Sequence, residues 1–145
     1  ATARAVWTAE ECIEMIQASS SNKEEFAKAF CQFSEGMKKA YLTSLNSGDF
    51  PQTDFDKTVA LADAITDQLY FSFGSAVEIG VDIEEVFNIV QSANMSKLFT
   101  DENGKKYAKY REDGKILKSP EFFAPEEQIK LEVHHQVQKA KYEAE

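Results

Sequence analysis

An all-α fold, an antiparallel four-helix bundle carrying a small hairpin and a last helix, is predicted by three features of this 145-residue chain. Apolar residues recur at intervals of three and four over long stretches. Caps and breakers separate those stretches by short connections, as in up-and-down bundles. Only one segment, 97–118, changes to short alternating runs bounded by glycine turns. The length fits a single domain, with residues 22–96 as helical core, 97–124 as a basic hairpin or loop, and 125–145 as a C-terminal helix.

The first helix is expected to open at Thr8-x-x-Glu11, which has capping-box spacing, and to carry Cys12, Ile13 and Ile16 inward before the Ser19-Ser20-Ser21 tract. The second opens at Ser21 or Asn22, with Glu24 and Glu25 in its first turn. Phe26, Phe30, Phe33, Met37, Tyr41 and Leu45 then form one apolar stripe. A break at 46–51 precedes a third helix, capped by Thr53 or Asp54, running to about Glu78 and stopped by Gly80. Asp82-x-x-Glu85 caps a fourth, with Ile83, Val86, Phe87 and Val90 inward. Glu102-Asn103-Gly104 and Glu112-Asp113-Gly114 are turn signals of a hairpin. Pro125, followed by Glu126 and Glu127, opens the last helix, whose apolar face is Ile129, Val133, Val137 and Ala140. No internal repeat is expected.

Composition excludes several functions. The net charge is −9, so a broad nucleic-acid-binding surface is not expected, and any anion site must be local. No apolar run reaches the roughly 18–20 residues of a membrane span, and a soluble chain is expected. Cys12 and Cys31 are too few and too distant for zinc and read as buried thiols, with a disulfide left open. The adjacent His134 and His135 point apart on a helix and cannot chelate together. The start without Met reads as a processed leader or a trimmed end, which leaves cytoplasm and mitochondrial matrix both open.

The third helix carries the chemistry. Twelve of the nineteen residues from Val59 to Val77 are apolar, spread around the helix, so burial on most sides is expected. Asp63 and Asp67 lie four apart on one face among Ala60, Ala64, Tyr70 and Phe71, and carboxylates in such surroundings need a cation. Magnesium, held through one or two carboxylates plus phosphate oxygens, is one answer. A lysine from a facing helix, Lys38 or Lys39, is the other.

Three blocks in order, Ala62-Asp63-Ala64-Ile65-Thr66-Asp67-Gln68-Leu69-Tyr70, Ser92-Ala93-Asn94-Met95-Ser96-Lys97 and the run 110–118 followed by Phe122 and Phe123, give the chain its resemblance. Over residues 22–126 it resembles the MazG-type all-α nucleoside triphosphate pyrophosphohydrolases, which include phosphoribosyl-ATP pyrophosphohydrolase. The resemblance implies four-helix units, often dimeric, in which a Glu-Glu-x-x-Glu helix and a Glu-x-x-Asp helix hold magnesium. The ions bind the triphosphate and position water, releasing a nucleoside monophosphate and pyrophosphate. It also places Asn94, Lys97, Lys115 and Lys118 near the nucleotide phosphates. Those residues fall in a segment, 97–118, that carries +3 while the remainder carries −12.

The pattern is incomplete where the metal belongs. The Glu position before Asp63 or Asp67 is Ala60 or Ala64, and on the second helix only Glu35 remains, about 180° from the aromatic stripe. With Asp63, Asp67 and Glu35 as the metal residues and no catalytic residue assigned, the expectation is a pyrophosphohydrolase fold with a decayed magnesium site, acting as an accessory or structural subunit without cofactor. The alternative is an active magnesium-dependent enzyme. Eleven Phe, five Tyr and one Trp exceed what four short helices hide, so other protein chains, as a homodimer or larger assembly, are expected partners, with nucleotide as a further ligand.

Overall fold

Short polar signals set the helix boundaries. In the computed structural model, which describes residues 2–144, Asn22 caps the second helix by accepting the Glu25 N–H at 2.9 Å, while the Glu25 carboxylate accepts the Ser21 N–H at 2.8 Å. Thr53 accepts the Asp56 N–H at 3.1 Å, and Asp82 accepts the Glu84 N–H at 3.1 Å. At the other ends Gly48 and Gly80 take the left-handed conformation, φ 65° and 70°. After Gly80 the chain closes with paired bonds, Val81 N–H to Ala76 and Gly80 N–H to Val77, which satisfy the last carbonyls of the helix.

The elements are α1 (Thr2–Ala18), α2 (Lys23–Ser47), α3 (Asp54–Glu78), α4 (Ile83–Ser96), β1 (Phe99–Thr100), β2 (Lys106–Tyr107) and α5 (Glu126–Ala144). The all-α class therefore holds, with a two-stranded antiparallel ribbon as the only sheet among the described residues. Two compact units divide the chain, one through Lys57 and one from Thr58 onward. In the first, α1 packs against α2; in the second, α4 packs against α5. Among the described residues no helix is long and apolar enough to cross a membrane.

Several expectations need correction. Helix α1 begins six residues before Thr8, whose hydroxyl donates to the Arg4 carbonyl at 3.0 Å inside the helix, so Thr8-x-x-Glu11 is no cap. The α2 stripe is only partly covered: Phe26 and Phe33 are half-buried, while Phe30, Met37, Tyr41 and Leu45 are exposed. Phe87 points outward from α4, and Val137 outward from α5. The thiols are free, Cys12 half-buried and Cys31 exposed. Helix α3, expected to be buried on most sides, exposes Phe71 to 71% and Val77 to 79%. The buried apolar residues among those described are Ala76 and Ala93, so side chains meant for a core stand in the open on this single chain.

The segment after α4 holds a short repeat that was not expected. Asp101-Glu102-Asn103-Gly104-Lys105 and Arg111-Glu112-Asp113-Gly114-Lys115 close in the same way ten residues apart. In each, the first residue's N–H donates to the lysine carbonyl and the glycine N–H donates to the first residue's carbonyl. Both glycines sit at φ 78°, the left-handed position that completes a type I turn with a bulge.

Candidate functional site

In the first unit, the uninterrupted α1 gathers acids. Glu10 and Glu14 lie one turn apart, Glu11 and Glu14 three residues apart, and all three are exposed. Arg4 is the only Lys or Arg in the helix, so three carboxylates share little more than one turn. On α2, Glu35 is exposed, with Cys31, Gln32, Lys38 and Lys39 at the neighbouring helical positions and no second carboxylate there.

In the second unit, Asp63 and Asp67 occupy one face of α3, and both are exposed, as are Ala60, Ala64, Tyr70 and Phe71 around them. Their charges are therefore solvated on the single chain, contrary to expectation. Among the described residues no group of three or more His, Cys, Asp or Glu is gathered to hold a metal ion.

The C-terminal end of α4 and the segment that follows bring three of the four expected phosphate residues to one place. The Lys97 ammonium donates to Asn94 Oδ1 at 2.7 Å and lies 5.8 Å from the centroid of the Phe122 ring. Lys118 lies 4.2 Å from the same centroid. Each contact is a cation–π interaction of about 0.5–1 kcal/mol at an exposed site. Lys115 stands in the second turn, where its N–H donates to Asp113 Oδ1 at 3.1 Å. A separate stack sits on the ribbon, with Lys109 4.2 Å over Phe99, itself 6.0 Å from Tyr107.

Ser119 holds this segment to the helix. Its hydroxyl donates to the Ser96 carbonyl at 2.7 Å, its N–H donates to the Lys97 carbonyl at 3.2 Å, and it is buried. Phe123 N–H donates to Ser96 Oγ at 3.3 Å, and Phe122 N–H to the Ser119 carbonyl at 3.1 Å. Three hydrogen bonds thus fix the Phe122 turn against the end of α4, and the fourth closes the turn on itself.

The phosphoribosyl-ATP pyrophosphohydrolase family model matches residues 1–94, well over half of the chain. The chain belongs to the phosphoribosyl-ATP pyrophosphohydrolase family. It is also similar to the crystal structure of a proposed NTP pyrophosphohydrolase from Exiguobacterium sp. 255-15, at 39% identity and a TM-score of 0.83, over 96% of this chain and 80% of that one. A search of curated proteins returns no match.

The exposed acids of α1 stand in Glu-Glu-x-x-Glu order. Glu10-Glu11-Cys12-Ile13-Glu14 has that spacing and lies within the matched residues.

Proposed function

We propose that this chain is a magnesium-dependent nucleoside triphosphate pyrophosphohydrolase, converting NTP to nucleoside monophosphate and pyrophosphate. Glu10, Glu11 and Glu14 of α1 and Asp63 and Asp67 of α3 are the metal-holding carboxylates. Asn94, Lys97, Lys115 and Lys118 take the phosphates. The observation that carries this reading is the Glu10-Glu11-x-x-Glu14 string on a continuous, exposed helix in a chain of this family. Glu35, with no carboxylate beside it on α2, has no part in it.

The donor chemistry fits the ion. Magnesium prefers oxygen ligands and is usually held by one or two carboxylates, with water and substrate phosphates completing its shell, so each acid set is large enough without a preformed cage. When bound, magnesium neutralises the triphosphate and supplies an acidified water. The protein's own part is electrostatic. The acids of α1 and the acids of α3 each raise cation affinity, and Lys97 and Lys118, which form no ion pair among the described residues, raise polyphosphate affinity. Purified protein is expected to release pyrophosphate from nucleoside triphosphates only with magnesium, and Glu14→Gln and Asp67→Asn each to lower kcat/KM about 100-fold or more.

Ala60 and Ala64, at the Glu position of Glu-x-x-Asp, favour the second reading, an accessory subunit with a decayed site. Undetectable turnover, with no change in melting temperature on adding magnesium and nucleotide, would support it. In either case the exposed apolar faces of α2 and α3 are covered by protein, and for the enzyme the occupant is a second copy of this chain.

A further inference from the structure

We propose that Phe122 is a positioning residue: its ring is a neutral mount that holds the ammonium groups of Lys97 and Lys118 side by side for two neighbouring charges of a polyphosphate. The proposal rests on the phosphate-binding role given above to the two lysines and adds how they are placed.

Lys97 ends α4, whereas Lys118 follows the whole hairpin, yet both ammonium groups approach one ring, at 5.8 and 4.2 Å from its centroid. Their separation cannot exceed the sum of those distances, 10.0 Å. A carboxylate is the other kind of group that gathers two ammonium ions in this way. Here no ion pair to Lys97 or Lys118 is formed among the described residues. The difference matters chemically. A carboxylate would orient the lysines and cancel their charge, leaving little for a ligand. An aromatic face orients them through its quadrupole and leaves both charges whole. Asn94 Oδ1, also uncharged, fixes Lys97 in the same manner. The ring itself is immobilised by half-burial and by the Ser119 hydrogen bonds that tie its turn to Ser96 and Lys97. A rigid mount bearing two intact cations selects a ligand with adjacent anionic groups over a monoanion, because both lysines are satisfied without rearrangement.

The test uses the full chain and inorganic tripolyphosphate as probe, titrated by calorimetry into wild type, Phe122→Leu and Phe122→Tyr. Loss of the ring is expected to weaken binding about five- to thirty-fold, the equivalent of two cation–π contacts, while tyrosine, which keeps the ring, binds within about two-fold of wild type. In turnover, Phe122→Leu is expected to raise KM with kcat nearly unchanged. Proton NMR of the wild type gives a readout independent of how any variant folds. The ε-methylene protons of Lys97 and Lys118 are expected upfield, shifted by the ring current, and to move when tripolyphosphate is added. Wild-type ε-protons at random-coil positions, or a folded Phe122→Leu that binds tripolyphosphate as tightly as wild type, would overturn the mount and leave the phosphate reading intact. Wild type that binds no tripolyphosphate would overturn the phosphate reading, and the proposal with it.

Discussion

The Glu25 carboxylate accepts the Ser21 N–H at 2.8 Å at the start of α2, and that bond holds its pKa below the ordinary glutamate value. A carboxyl with a depressed native pKa stabilises the fold above its unfolded pKa and loses that contribution as the pH falls through the native one. The melting temperature of Glu25→Gln is therefore expected to lie below wild type at neutral pH. The gap should close on acidification through the glutamate range; a gap independent of pH would show that the capping charge contributes nothing. At this scale the sequence was legible where one residue has one role, as with Asn22 and Asp82, whose side chains accept from the backbone two or three residues on. Legibility failed at Thr8 and Glu11. A hydroxyl three residues before a glutamate fits a cap equally well when it lies mid-helix and bonds backward to Arg4, and only the backbone distinguishes the two. The lysines offered the opposite difficulty. Their charge was evident in the sequence, but their meeting on Phe122 depends on the hairpin fold between them.

Helix ends were the easiest elements to read, because Gly48 and Gly80 mark the ends of α2 and α3 with a conformation that other residues adopt at a cost. The hairpin was recognisable from its turns, although the strands prove only two residues long and most of its order comes from the repeated turn bonds. The docking of α5 was not legible. It depends in part on Gln136, whose amide donates to the Asp82 carbonyl at 3.1 Å and accepts the Asp82 N–H at 2.8 Å, a clamp between residues 54 apart. A glutamine on a polar helix carries no sequence sign of such a partner. Gln136→Ala is expected to destabilise by about 1 kcal/mol, since exposed hydrogen bonds contribute toward the low end of their range. Chemical denaturation checks the magnitude, and faster amide exchange at Asp82 checks the location. Unchanged exchange there would show that the clamp does not hold α5.

The molecule as a whole leaves large apolar side chains exposed along α2 and along α3, Tyr41, Leu45, Leu69 and Phe71 among them, an excess over what a monomer normally shows. The aromatic content signalled this excess, but which faces lack cover became visible only with the helices in place. Association into a dimer or larger species, burying well above about 1,000 Å², is expected. Sedimentation should return a multiple of the chain mass, and Leu69→Asp on α3 should shift it toward monomer with loss of melting temperature. A stable wild-type monomer that binds no hydrophobic dye would contradict the expectation. The central claim is that the acids of α1 and the acids of α3 hold magnesium for catalysis, and pyrophosphate release from a panel of nucleoside triphosphates tests it most directly. The account predicts magnesium-dependent release by wild type, abolished by chelation and reduced about 100-fold or more in both Glu14→Gln and Asp67→Asn. Release that persists undiminished in either variant, or wild-type protein that releases none with magnesium present, would contradict it.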